Sequence, residues 1–267
     1  RIKAEKAAEK ERIKAEKAAA KEAARAEKER LKETIARCLK NPIYKKRLDE
    51  AGITPESIKS VADVRKIPFT TKQDLRESYP FGLACCDLRD CVRLHSSSGT
   101  TGNPTVILHT QNDLDEWANQ VARNLWMVGL RPEDVFQNSS GYGMFTGGLG
   151  FQYGAEKLGM LTVPAAAGNT LRQLKFFKDF RTTVVHAIPS YAARLYEVMC
   201  EQGIDPRRDL ALRTLVIGAE PHSEDTRKRI EEMLGVKAYN SFGMSEMCGP
   251  GVAFECQCQS GMHIWED

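Results

Sequence analysis

LHSSSGTTGNPTVILHT, residues 94–110, sets six small or flexible polar residues in a row, Ser96 to Thr101, between two apolar runs. Gly99 and Gly102 let consecutive backbone N–H groups converge on one point, a nest suited to an anion. The hydroxyls of Ser96, Ser97, Ser98, Thr100 and Thr101 add donors that rotate to meet an oxygen. A triphosphate fits such a surface. A flexible polar turn has the same composition, so the stretch alone leaves both readings open. It lacks the Gly-Lys-Ser/Thr ending of a P-loop NTPase, which removes that class.

Working outward, VRLHS reads as a strand entering the loop and TVILHT as the strand leaving it. A helix is predicted over about 111–128, ending near Gly129. DVFQNSS and LTVPAA read as strands, separated by the helix that follows the glycine-rich GYGMFTGGLG. TTVVHAIP is a strand and SYAARLYEVMCEQG a helix; LRTLVIGAE is a buried strand with a sharp exit. SEDTRKRIEEML is a helix opened by a serine cap, and VKAYNSFGMSE a strand running into a turn. Strands alternating with helices give an α/β fold of layered sheets flanked by helices.

The N-terminus has another character. The triplet AEK recurs at Ala4, Ala15 and Ala26, a period of eleven, close to three turns of helix. Ala, Glu, Lys and Arg favour helix, and Glu9 with Arg12 and Glu22 with Arg25 stand at i,i+3. With only Ile2 and Ile13 besides alanines on the stripe, residues 1–30 read as a solvated charged arm, a partner-binding helix being the alternative. From Leu31 onward, through residue 267, the chain reads as the working domain. Leu31, Ile35, Cys38 and Leu39 share a helical face that Asn41-Pro42 ends, and short helices are predicted at 43–50, 55–59 and 71–78.

The 267 residues suffice for one large domain or two small ones. A net charge of +3 is too weak to argue for a nucleic-acid partner, and none is expected. No apolar run is long enough to cross a bilayer, and no secretion signal opens the chain, which begins with Arg and so reads as a fragment or processed form. The eight cysteines therefore read as reduced thiols, and the expected compartment is the cytoplasm.

Three stretches decide the question the loop raises: SSSGTTGNP, then GAEP at Gly218 to Pro221, then YNSFGMSE at Tyr239 to Glu246. In that order they resemble the adenylate-forming superfamily of acyl-CoA synthetases. GYGMFTGGLGFQYGAEKLG, HAIPSY and GPGVAFECQCQSGMHIWED narrow the resemblance to its phenylacetate–coenzyme A ligases, over residues 31–267. The resemblance implies the large N-terminal domain of those enzymes, ATP, Mg²⁺ and coenzyme A as cofactor and co-substrates, and an aryl acid as substrate. Ser96, Ser97, Ser98, Gly99, Thr100, Thr101 and Gly102 would hold the β- and γ-phosphates. Gly218, Ala219, Glu220 and Pro221 would line the adenine, and Tyr239, Asn240, Ser241, Phe242, Gly243, Met244 and Ser245 would pass the adenine and α-phosphate. Glu246 would hold Mg²⁺ and, with Thr100, serve catalysis; Asn103 stands where many relatives have Lys. Tyr142, Phe145 and Gly147, with Ala187, Ile188 and Pro189, would contact the acid; read singly, the two aromatics are as well explained as core.

Such enzymes continue with a ribose-binding Asp, a hinge and a small domain bearing a lysine, none of which follows Asp267 here, so this stretch by itself is expected to bind nucleotide weakly and turn over poorly. Cys248, Cys256, Cys258 and His263 form C-x₇-C-x-C-x₄-H, a candidate closed Cys₃His zinc set; buried free thiols are the alternative. Cys85, Cys86 and Cys91 read as ordinary thiols, and His109, His186 and His222 receive no metal role. A homodimer, an adenylating enzyme that loads a carrier-protein thiol, and a non-enzymatic nucleotide-binding scaffold all stay open.

Overall fold

The structure, a computed structural model, describes residues 2–97 and 102–265, with side chains from Glu9 onward. It divides into two compact units between Asp90 and Cys91.

The first unit opens with α1 (Ile2–Cys38). The charged repeats and the apolar face expected from Leu31 share this one unbroken helix, because nothing between them breaks helical propensity. The face shows up as burial instead: Ile35 is buried and joins Leu48, Ile53 and Ile58 in a small core. Asn41 ends the helix as predicted, and its amide oxygen caps α2 (Pro42–Glu50) through the N–H groups of Ile43 and Tyr44. Short 3₁₀ turns follow at Pro55–Ser57 and Val61–Lys66, then α3 (Lys72–Glu77) and a further turn at Leu88–Asp90.

The second unit begins with an antiparallel hairpin, β1 (Cys91–Ser96) and β2 (Val106–Thr110), followed by α4 (Gln111–Met127). Next come β3 (Val135–Asn138), α5 (Thr146–Leu158), β4 (Leu161–Val163) and α6 (Thr170–Asp179). They are followed by β5 (Val184–Ala187), α7 (Pro189–Glu201), α8 (Pro206–Asp209), β6 (Thr214–Gly218) and α9 (Glu224–Leu234). The chain closes with β7 (Lys237–Met244), a 3₁₀ turn at Ser245–Met247, β8 (Gly249–Glu255) and β9 (Met262–Ile264). Seven strands form one sheet in the order β4-β3-β5-β6-β7-β8-β9; the first five are parallel, and β8 and β9 are antiparallel additions at one edge.

Side chains alternate across this sheet. Val185, Ala187, Leu215, Ile217 and Ala238 face α6, α7 and α9, where they meet Phe177, Leu195, Met199 and Ile230. Val184, Val216 and Tyr239 face α4 and α5, where they meet Trp117, Val121, Leu125 and Phe151. Every residue of β5 and β6 is buried, as expected of parallel strands covered on both sides.

The glycines of GYGMFTGGLG and its continuation let α5 approach α4. A Cβ on Gly154 would overlap the Val121 side chain. Gly154→Ala is expected to cost about 1–3 kcal/mol in chemical denaturation, the range for overpacking. Gly147→Ala, with open space around its Cβ, should leave stability nearly unchanged.

Candidate active site

Parallel strands all point their carboxyl ends to one edge of a sheet, and ligands in such folds bind there. At this edge β3 ends at Asn138, β5 at Ala187, β6 at Gly218 and β7 at Met244. The segments leaving them carry residues the sequence singled out: Tyr142 and Phe145 after β3, Ile188 and Pro189 after β5, Ala219 to Pro221 after β6, and Ser245 and Glu246 after β7.

The hairpin loop is tied to the same edge. The Ser97 N–H donates to the Thr105 carbonyl at 3.0 Å, and the Thr105 N–H returns a bond to Ser97 Oγ at 3.0 Å, closing the loop at its base. The Ser96 N–H donates to the Met144 carbonyl at 2.9 Å. Thr105, fully buried, donates its hydroxyl to Glu246 Oε1 at 3.1 Å. Ser98, Gly99, Thr100 and Thr101 lie outside the described residues.

The β6–β7 pair brings GAEP beside YNSFGMSE. Gly218 is opposite Ser241, and a Cβ on Gly218 would strike the Ser241 carbonyl, so only glycine fits. Ala219 follows with a left-handed backbone, φ 65°, which forms the sharp exit. Glu220 accepts from the Ser190 N–H at 3.0 Å and from the Ser190 hydroxyl at 2.8 Å; its carboxylate is spent on the start of α7. Within YNSFGMSE the side chains separate. Tyr239 is a core residue beneath the sheet, the Asn240 N–H donates to Glu255, and the buried Ser241 Oγ has no partner among the described residues. Phe242 and Met244 are about half exposed, at 52% and 40%, and offer open apolar faces.

Of the residues expected to meet the acid, Phe145 is exposed, Tyr142 is half-buried and Gly147 lies in open space. Ile188 is the N-cap of α7 and Pro189 its first residue. Ala187 packs into the α6–α7–α9 core, so at this position and at Tyr239 the core reading describes the side chain. Asn138, Ser140, His186 and Thr105 were not singled out for the site by sequence. Only the fold shows that Asn138 and His186 are paired on adjacent strands, and that Thr105 faces a residue from the other end of the chain.

The zinc set is corrected. Among the described residues no group of three or more His, Cys, Asp and Glu side chains is placed to hold a metal ion. Cys248 turns away with φ 65° and packs against the α4–α5 core, where burial raises its thiol, while Cys256 is hydrogen-bonded to His263 and Cys258. Sixteen consecutive positions could not reveal that split. Glu246 with Thr105 presents hard oxygen atoms instead, a set that suits Mg²⁺, which takes one or two carboxylates and completes its shell with waters and phosphate oxygens.

Comparison with known proteins gives a match to the AMP-binding enzyme family over residues 9–264. The chain belongs to that family. Among AMP-binding relatives, the phenylacetate-coenzyme A ligase of Thermus thermophilus is 48% identical over 227 residues, 85% of this chain and 51% of the relative. That of Escherichia coli (strain K12) is 45% identical over 85% of this chain and 52% of its own length. A solved 2-hydroxyisobutyryl-CoA ligase in complex with 2-HIB-AMP and CoA matches with a TM-score of 0.84 at 30% identity, over 93% of this chain and 56% of that one. The chain spans about half the length of the curated relatives it matches.

Buried imidazoles accompany the β1–β2 hairpin and β5. His109 stacks on Trp117, with ring centroids 5.5 Å apart and planes 16° apart, and contacts His95 edge-on. Burial, then the neighbouring His95, lowers His109 to about 4, and burial lowers His186 to about 3. A base whose folded value lies below its unfolded value binds fewer protons folded than unfolded. Its cost to folding is therefore absent above about pH 6.5 and grows as pH falls toward the folded value, for His109 by on the order of 3 kcal/mol. Urea midpoints are expected to fall between pH 6.5 and 4, and less steeply in His109→Phe, which keeps a ring on Trp117.

Proposed function

We propose that this chain carries the ATP- and acid-binding part of an AMP-forming acid–CoA ligase whose acid is an aryl acetate. The single observation that carries the reading is the Thr105–Glu246 hydrogen bond, which joins the base of the hydroxyl-rich loop to the carboxylate ending YNSFGMSE. The similarity to phenylacetate-coenzyme A ligases over 85% of the chain supports the choice of acid and of coenzyme A.

A carboxylate resists nucleophiles because of its charge, so it must first be given a leaving group. One acid oxygen attacks the α-phosphorus of ATP, the bond to the pyrophosphate oxygen breaks, and the acyl group is left on AMP. The coenzyme A sulfur then attacks the acyl carbon, its proton is lost, and AMP departs. Positioning and charge stabilisation supply most of the rate in such displacements. The Ser96–Gly102 segment holds the β- and γ-phosphates with backbone N–H and hydroxyl donors. Gly218 to Pro221 form one wall for the adenine, and the open ring of Phe242 is a flat surface for a base. Glu246 is the residue that would hold Mg²⁺, which when bound draws charge from phosphate oxygens. Tyr142, Phe145 and Gly147 accept the ring of the acid. Eight free thiols suit a reducing cytoplasm.

Melting temperature tests the reading. ATP with Mg²⁺ and phenylacetate together are expected to raise it by more than either raises it alone, because acid and nucleotide occupy adjoining sites. Glu246→Gln keeps size and hydrogen-bonding capacity but removes the charge. It is expected to weaken Mg²⁺-dependent ATP binding by tenfold or more in calorimetry, as for loss of a charged interaction of about 1.4 kcal/mol or more. ATP affinity that is unchanged in the variant, with and without Mg²⁺, would sink the role given to Glu246.

A further inference from the structure

The carboxyl edge of the sheet contains a buried side-chain network centred on Asn138, a residue to which neither the motifs nor the proposed chemistry assigns a role. Asn138, the last residue of β3, is completely buried. Its amide forms four contacts. The Ser140 N–H donates to Oδ1 at 3.2 Å, and His186 Nδ1 lies 3.0 Å from the same oxygen. Nδ2 donates to the Gly148 carbonyl at 2.6 Å and to the Tyr142 hydroxyl oxygen at 3.1 Å. A carbonyl cannot donate and a backbone N–H cannot accept, so Gly148 and Ser140 fix which way round the amide sits.

That orientation fixes the rest. Oδ1 can only accept, so His186 Nδ1 carries a proton, which the Ser140 hydroxyl oxygen, 3.1 Å away, can share. The imidazole is buried, and its plane is held by Phe151, whose ring centroid is 3.9 Å distant. Both acceptor sites of Asn138 are thus filled by rigid partners, and its two donors reach Gly148 at the start of α5 and the phenol of Tyr142. Among the described residues no acceptor takes the phenol's own proton, so this one bond holds the end of the Tyr142 ring. The ring stands in the glycine-rich segment between β3 and α5, where a Cβ on Gly148 would come within 3.3 Å of its Cδ1 and the positions of Gly143 and Gly147 are open.

We propose that Asn138, itself clamped by His186 and Ser140, is a positioning residue that holds Tyr142 as the wall of the acyl pocket and thereby sets selectivity for aromatic over small aliphatic acids. This rests on the ligase reading above. Asn138 touches no substrate; it acts through the orientation of the Tyr142 ring. An aromatic acyl group packs against a fixed face at no further ordering cost, and against a freely turning ring it must first immobilise that ring. An acetyl group is too small to notice the difference.

The test uses this chain and two non-hydrolysable mimics of acyl-AMP, the phenylacetyl and acetyl sulfamoyl-adenosines, with dissociation constants measured by calorimetry. Asn138→Ala is expected to weaken the phenylacetyl mimic about fivefold to tenfold, the loss for one buried hydrogen bond, and the acetyl mimic less than about twofold. In a Tyr142→Phe background, where the anchored hydroxyl is already gone, Asn138→Ala should add little. A merely structural role would weaken both mimics alike and act additively with Tyr142→Phe, and either result overturns the proposal. If Asn138→Ala does not fold, Tyr142→Phe alone decides: an unchanged ratio between the mimics refutes the anchoring. Wild-type chain that binds neither mimic refutes the ligase reading itself, whereas tight binding of both with unaltered ratios in the variants refutes only the positioning role.

Discussion

Thr105 and Glu246 are separated by 141 residues and joined by a hydrogen bond of 3.1 Å. That bond can form only if two unrelated constructions end at the same place. One is the β1–β2 hairpin, closed at its base by the reciprocal bonds between Ser97 and Thr105. The other is the run of parallel strands whose last parallel member, β7, delivers Glu246 just past its end. Because Thr105 is fully buried, leaving its hydroxyl unpaired would cost a desolvation penalty of about 1–3 kcal/mol. The contact therefore favours one arrangement of hairpin and sheet, and it places the base of the hydroxyl-rich loop against the one acidic side chain of the third motif.

The same edge owes its shape to close backbone approaches. Gly218 lets the β6 exit run against the Ser241 carbonyl, and Gly154 lets α5 settle on α4. The first sets the distance between GAEP and YNSFGMSE; the second sets the position of α5, and with it Gly148 and the segment bearing Tyr142. Packing and the geometry of the sheet edge are consequently one constraint here: a side chain added to a buried glycine would move the segments leaving that edge along with the core.

Much of this was legible in the sequence, for identifiable reasons. The strands from β1 to β7 are short apolar runs bounded by turn residues, and their alternation with helices pointed to layered α/β architecture. Three features escaped. The β8 and β9 strands lie in a stretch whose Gly249-Pro250-Gly251 and Gly261 read as turns, and antiparallel pairing at a sheet edge tolerates such residues. The helix α6 begins with an exposed Leu171 that blurs its apolar face. The cysteines and His263 looked like a metal set because spacing carries no direction; left-handed backbone at Cys248 sends that residue into the core. The role of Thr105 was unreadable for a different reason. Its partner is distant, and a threonine after a proline has no periodicity to mark it.

The charge inventory of the loop bears on how the proposed chemistry would turn over. Between Leu94 and Thr110 there is no Lys, Arg, Asp or Glu, and the two flanking imidazoles, His95 and His109, are held neutral by burial. An anion bound at this loop would be met by dipoles, with no fixed positive charge contributed by the stretch itself. Dipoles reward geometry: N–H and hydroxyl groups converge on a phosphate in one pose and contribute little in another. A lysine would attract pyrophosphate nearly as strongly after bond cleavage as before it. In the proposed chemistry, where pyrophosphate leaves before coenzyme A is used, binding that depends on pose rather than net charge would stabilise the reacting arrangement over the product, which is the difference that raises a rate. The neutrality of His95 and His109 fits that reading, and the absence of charge in residues 94–110 is as informative as the hydroxyls that fill it.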